Sequence, residues 1–442
     1  MTNWQPILTD SSRDAALSAA RDLASALDRP YHRWPLSRPD SQRGLRSVSL
    51  ASGRAGVALF LGHQADFEDD DAMADLGFRF LDEAIALMPT KEMSASLYCG
   101  FTGVAWVAQH LAELWGDSLD PSIGEDVDAA ILGCLQEEGD TAPYDLIDGL
   151  VGIGLYFVSR LPERRAERGL RLLLSLLEAR AVRERHGCAW RTGSAERGHY
   201  NLGLSHGVPG VIALLGHLYR IGVEPDRARA LAEEAVTWLL AQRIDDEAGM
   251  YPGHVIPGTP GVPTRLAWCY GDPGVACALL AAARQFGRSD WEQAALAAAH
   301  RAAERPVDGS GVVDVGLCHG ASGLGLVFQH LWNQTGDALC ARAGRRWFER
   351  CLALRGDPEL AREFALAPEL GSAAGREVSA GEAGEDRDIA GFSIWSYERQ
   401  REGEYIADPC FLTGVAGLGL ALLAAATDAA PTWARVMLVE PD

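Results

Sequence analysis

Positive charge is scarce in this 442-residue chain. Its 40 basic residues face 61 acidic ones, for a formal charge of −21, and lysine is nearly absent. No run of basic residues stands out, so neither the balance nor the spacing offers a phosphate-binding surface, and no nucleic-acid partner is expected. Long apolar runs are missing too. The longest apolar runs, such as LGLALLAAA at 418–426, fall far short of the ~18 residues a membrane span needs. The opening MTNWQPILTDSSRDAALSAARD lacks a basic segment followed by an apolar stretch, so no targeting signal and a cytoplasmic setting are expected. The nine cysteines are odd in number and widely scattered. That pattern suits reduced cytosolic thiols rather than a disulfide framework, and leaves them available for packing, metal or catalysis.

What is present is a repeat. Hydrophobic residues make up 48% and charged residues 23%, a globular balance in a chain long enough to bury a large core. A Gly-x-x-Gly tetrad followed by a small, apolar run occurs seven times, beginning at Gly53, Gly100, Gly149, Gly207, Gly271, Gly320 and Gly414. One such tetrad carries no information; seven, each opening a similar run, do. The runs are apolar nearly all round, as buried helices are. Between them lie amphipathic stretches such as 72–88, 164–180, 226–242 and 289–304, with the i, i+3, i+4 pattern of outer helices. Buried and amphipathic helices alternating at about 50 residues per pair predict an all-α fold. Such pairs stack as an open solenoid or close into a ring, and inner helices apolar all round favour closure. The expectation is therefore a single domain over 1–442, an α/α toroid of seven helix pairs, with little strand. The 94 residues between the sixth and seventh tetrads hold a possible inserted extension or loop over 355–405.

The tetrads should bring residues far apart in sequence to equivalent places. Most have plain neighbours: Ser52, Cys99, Asp148 and Thr413. Three do not: Ser205-His206-Gly207, Trp268-Cys269-Tyr270-Gly271 and Cys318-His319-Gly320. Cys269 and Cys318 are 49 residues apart, and the repeat pairs them where no local motif would. With His319 they make a two-sulfur, one-imidazole set of the zinc type, leaving a fourth position open. Cys99, Cys134, Cys277, Cys340, Cys351 and Cys410 read as small buried hydrophobes. His63, His110, His217 and His330 read as packing or surface residues. The run Glu68-Asp69-Asp70-Asp71 reads as a cap for the next helix rather than a metal motif. Gly149-x-x-Gly152-x-Gly154 has neither the preceding strand nor the Gly-Lys-Ser/Thr of a nucleotide loop.

At these residues the sequence resembles the lanthionine synthetase C-like family. The matching motifs are Ser-His206-Gly-x-Pro209-Gly, Trp268-Cys269-Tyr270-Gly-x-Pro273-Gly, Leu-Cys318-His319-Gly and Tyr144-Asp145-x-Ile147-x-Gly149. The resemblance covers essentially the whole chain. It implies a seven-fold α/α toroid and one Zn²⁺ on Cys269, Cys318 and His319. It implies His206 as the acid–base residue, Asp145 as its partner, and Arg265 and Tyr270 as active-site residues. The implied activity is that of a stand-alone lanthipeptide cyclase, and the implied partners are a dehydrated precursor peptide with its leader and a dehydratase. The reaction is Michael-type addition of a Cys thiol to dehydroalanine or dehydrobutyrine, forming a thioether ring. A free thiol titrates near ~8.5 and is mostly protonated at neutral pH, and metal binding removes that proton. Two other readings stay open: a non-catalytic zinc scaffold that binds thiols such as glutathione, and a prenyltransferase-like zinc enzyme. Seven units and a two-cysteine site weigh against the second.

Overall fold

The computed structural model describes residues 4–28, 47–90, 92–116, 121–193, 198–244, 246–357, 360, 388–396 and 405–439. Fourteen α-helices lie among the described residues. In chain order they are α1 (Asp10–Ala26), α2 (Arg54–Glu68), α3 (Asp71–Leu87), α4 (Phe101–Leu114), α5 (Pro121–Glu138), α6 (Leu150–Ser159) and α7 (Arg164–Arg180). Then come α8 (Val208–Arg220), α9 (Pro225–Leu240), α10 (Asp272–Phe286), α11 (Ser289–Glu304), α12 (Ala321–Thr335), α13 (Ala338–Ala353) and α14 (Val415–Ala426). Every tetrad opens a helix, as the repeat predicts. At least half of the residues in each of these seven helices are buried; in α14 all twelve are.

The chain forms two compact units. The first holds Met1–Met93 and Arg305–Trp433, with Pro441–Asp442. Within it α2 packs on α3 and α12 on α13, each buried helix against the amphipathic one that follows. No described amphipathic helix follows α14, and its partner is α1, from the other end of the chain. The peptide N–H groups of Ile7 and Leu8 both donate to the Ala425 carbonyl (2.9 and 3.0 Å), and the Trp4 indole donates to that of Ala424 (2.7 Å). Helix α14 lies between α12 and α2. The second unit, Ser94–Glu304 with Ala434–Glu440, repeats the scheme four times: α4 on α5, α6 on α7, α8 on α9 and α10 on α11, with α4, α6, α8 and α10 as successive neighbours.

The tetrads work by close approach. No side chain caps the buried helices. Instead the preceding loop folds back over the first turn, so that the Leu150 N–H donates to the Pro143 carbonyl (2.9 Å) and that of Val151 to the Tyr144 carbonyl (3.2 Å). A methyl group on Gly149 would collide with the Pro143 carbonyl, and one on Gly152 with that of Leu146. Both positions therefore need a residue without Cβ. The acidic run behaves as expected: Asp70 caps α3, its Oδ1 accepting from the N–H groups of Ala72 (3.0 Å) and Met73 (3.1 Å).

Strand content is small, as expected, and most of it lies in the second unit. The second unit carries an antiparallel pair, β1 (Val182–Glu184) with β2 (Gly187–Ala189), and a three-stranded sheet of β3 (Arg191–Thr192), β4 (His199–Asn201) and β5 (His254–Val255) in that order. Strands of two or three residues are too short to show a period-two pattern. A signal did exist: the tetrads flanking these insertions are spaced by 58 and 64 residues, against 47 to 49 for the other closely spaced units. Most of the 355–405 stretch lies outside the described residues. Its described part includes β6 (Ile394–Trp395), which pairs with β7 (Tyr405–Ile406).

Candidate metal centre and acid–base pair

The loops that precede the tetrads are joined to one another by main-chain hydrogen bonds. In the second unit the Tyr98 N–H donates to the Ile147 carbonyl (3.4 Å), Leu146 to Ser205 (3.0 Å) and Ser205 to Cys269 (3.4 Å). In the first unit Cys318 donates to Leu412 (2.8 Å) and Leu412 to Ala51 (3.0 Å). Tyr98, Ile147, Ser205, Cys269, Cys318, Leu412 and Ala51 all stand two residues before a tetrad. One position later come Cys99, Asp148, His206, Tyr270, His319, Thr413 and Ser52. The same position therefore carries a plain side chain in one unit and a titratable one in the next.

Cys269 stands in the second unit, and Cys318 and His319 stand in the first. Cys269 is buried, and Cys318 and His319 are half-buried. Two thiolates and a neutral imidazole are soft donors that suit Zn²⁺ and leave room for a further ligand, so the residues present fit the ion expected from the sequence.

His206 and Asp145 meet as expected. The His206 Nδ1–H donates to Asp145 Oδ2 at 2.8 Å. Asp145 is fixed in turn, because its Oδ1 accepts the N–H of Asp148 at 2.8 Å. The His206 side chain is 37% exposed and that of Asp145 14%, so the pair is sheltered while the rest of the imidazole stays reachable. Burial pulls the His206 imidazole down. The hydrogen bond and charge of Asp145, helped by Asp148 and Cys269, outweigh it and hold the imidazole above its ordinary value.

Asp148, plain in sequence, belongs to this cluster: its carboxylate lies within 4.8 Å of the ligand atoms of Asp145 and His206. Burial, then the charge of Asp145, push its carboxyl up, and a hydrogen bond with Cys99 opposes them. Cys99 and Cys134 are exposed, whereas Cys277, Cys340, Cys351 and Cys410 are buried as expected. The signal for Asp148 was its place one residue before a tetrad, shared with His206 and His319.

Tyr270 is held on three sides. Its phenol oxygen accepts from Asn201 Nδ2 at 2.8 Å. Its ring packs with that of His254, centroids 5.5 Å apart. A Cβ on Gly203 would sit 2.9 Å from ring atoms of Tyr270 and 2.5 Å from the Cys269 carbonyl oxygen, so only glycine admits this approach. The turn before α10 also needs Gly271, at φ +84°. Arg265 is half-buried and stands six residues before its tetrad. In other units that place is taken by turn-forming residues: Asn201 Oδ1 accepts from Gly203 (2.8 Å), Asp314 Oδ1 from Gly316 (3.1 Å) and Asp408 Oδ1 from Cys410 (2.8 Å). Tyr144 is buried, its hydroxyl 3.1 Å from the Thr192 hydroxyl.

Comparison with known proteins accords with this arrangement. The chain is 23% identical over 313 residues to the nisin biosynthesis protein NisC of Lactococcus lactis subsp. lactis, spanning 63% of this chain and 72% of that one. A solved structure of nisin cyclase superposes with a TM-score of 0.69 at 16% identity, covering 97% of this chain and 98% of the other, and shows that the two share the α/α-toroid fold. The model of the lanthionine synthetase C-like protein family matches residues 45–349, well over half the chain and all but the last of the seven tetrads, and the chain therefore belongs to that family.

Proposed function

We propose that this protein is a lanthipeptide cyclase, closing thioether rings in a dehydrated precursor peptide. The observation that carries the reading is the Asp145–His206 dyad on a loop bonded to that of Cys269, a soft metal donor of the kind that Cys318 and His319 also supply. Cys269, Cys318 and His319 would hold Zn²⁺, which when bound supplies the charge that keeps a substrate thiol deprotonated at neutral pH.

The reaction adds the thiol across a carbon–carbon double bond. An S–Cβ bond forms, the π pair moves to Cα and the neighbouring carbonyl, and a proton ends on Cα. His206, whose Nδ1 is tied to Asp145, has Nε2 left to move that proton, and the hydrogen bond and charge of Asp145 favour its protonated form. Arg265 is suited to stabilise the enolate oxygen, because it replaces a turn-forming residue without being needed for the turn. The substrate is a precursor peptide already dehydrated at Ser or Thr, with its leader attached, delivered by a dehydratase in the cytoplasm.

Addition leaves the peptide mass unchanged, so the assay counts thiols that remain open to alkylation. Incubation of a dehydrated Cys-containing peptide with the protein should remove them. Thiol binding without their loss would favour the scaffold reading and overturn this one. Metal analysis should find one zinc per chain, absent from a Cys318→Ala variant that remains folded. Undiminished zinc in that variant would remove the assigned ligand set.

A further inference from the structure

The amide of Asn201 has a defined orientation. It is buried at the end of β4, and its Oδ1 accepts the Gly203 N–H at 2.8 Å, the bond that shapes the loop leading to the fourth tetrad. The amide nitrogen is therefore the end that meets Tyr270 Oη at 2.8 Å, with His254 Nε2 at 3.5 Å. An amide nitrogen only donates, so at this contact the phenol oxygen is an acceptor. Its own hydrogen is then not shared with Asn201.

We propose that Asn201 is a positioning residue that fixes Tyr270 as a hydrogen-bond donor to the substrate oxygen gaining charge in the thiol addition. The role rests on the cyclase reading above. Tyr270 follows Cys269 directly, its ring is seated over Gly203 and beside His254, and the phenol is held where few rotations remain. A preorganised donor aimed at developing charge is worth far more than a mobile one. The repeat itself separates this role from turn formation. Asp314 and Asp408 occupy the equivalent place in two other units and make the same turn with a carboxylate. For the turn alone, aspartate serves as well as asparagine. At 201 the amide adds what a carboxylate cannot, a hydrogen for the Tyr270 oxygen.

The test is Asn201→Asp, which keeps the turn and reverses the polarity of the contact, since a carboxylate would take the phenol hydrogen for itself. With a synthetic peptide carrying one Cys and one dehydroalanine, kcat should fall about 10²–10³-fold, the effect of removing one such donor, with KM little changed. Tyr270→Phe should fall as far, and the double variant no further. A wild-type rate in Asn201→Asp, or an additional loss from it in the Tyr270→Phe background, would overturn the proposal. A second measurement does not depend on the reaction. Raman difference spectra, each protein minus its Tyr270→Phe counterpart, report whether a phenol accepts or only donates. The Tyr270 signal should show an accepting phenol with Asn201 and a donating one with aspartate. An unchanged signal would refute the contact even in an active enzyme. A changed signal in a protein that closes no rings would refute the cyclase reading and leave the Asn201–Tyr270 polarity standing.

Discussion

Asp145→Asn changes one atom, and the structure says which consequence follows. Asp145 accepts twice, from the Asp148 N–H through Oδ1 and from His206 Nδ1–H through Oδ2, both at 2.8 Å. Asparagine has a single oxygen. If that oxygen keeps the turn with Asp148, the NH₂ group faces His206 Nδ1, which must become an acceptor. The neutral ring then carries its proton on Nε2, the wrong tautomer for taking a proton there. If the amide turns the other way, the Asp148 bond is lost. In either case a charge-assisted hydrogen bond disappears, worth about 1.5–3 kcal/mol, or about 10- to 150-fold in rate. His206→Ala should cost more, in the range of about 10²–10⁴-fold for a general acid–base group. The assay is the rate of thiol loss from a dehydrated peptide, alongside zinc content. Asp145→Asn should keep its metal and slow the reaction by that factor. A rate within threefold of wild type would refute the tautomer argument. Loss of zinc in the same variant would show that the dyad and the metal loop are one structural element.

Three further perturbations read the scaffold. A methyl group on Gly323 would collide with the Leu317 carbonyl, in the residue just before Cys318. Gly323→Ala should therefore lower stability in chemical denaturation by about 3 kcal/mol and weaken zinc retention. A methyl group on Gly133, in α5, would meet nothing within 4 Å, so Gly133→Ala should raise stability by up to about 1 kcal/mol with activity unchanged. Burial lowers His63 to about 4, whereas an unfolded histidine titrates near ~6.5. Between those values the unfolded chain binds the extra proton, so this residue's contribution is present above about pH 6.5 and is lost as pH falls toward 4. His63→Gln should flatten the pH 7 to pH 5 decline in denaturant midpoint; an unaltered decline would place the acid sensitivity elsewhere.

Much of the fold could be read from the sequence because the repeat is expressed in steric terms. Seven buried helices begin where seven glycine pairs admit a loop crossing their first turn, and a glycine forced by a backbone clash is visible as a letter. What escaped has equally physical reasons. Helix α1 pairs with α14 across almost the whole chain, and a pairing between amphipathic and apolar surfaces leaves no shared motif to find. The short strands around β4 left only extra spacing between tetrads. Asp148 escaped because an aspartate in a loop is ordinary until its carboxylate is found beside Asp145 and His206.

The repeat also explains why Arg265 stands apart from the other candidates. Six residues before a tetrad, the chain uses Asn201, Asp314 and Asp408 to bend the loop through a side-chain acceptor. Arginine has no acceptor and cannot make that bond. In the fifth unit the loop is closed by other means, with Gly271 at φ +84° and a methyl there excluded by the Arg265 carbonyl at 2.7 Å. The main chain at 265 thus keeps its structural part, while the side chain takes no part in that turn. If Arg265 serves the reaction, Arg265→Asp should restore the turn found in its sister units, leave stability unchanged or higher, and abolish ring closure by placing negative charge where an enolate forms. If it serves the fold through an ion pair, the same variant should lose stability first. Denaturation and cyclisation measured on one protein sample separate the two, and a stable, fully active Arg265→Asp would exclude both.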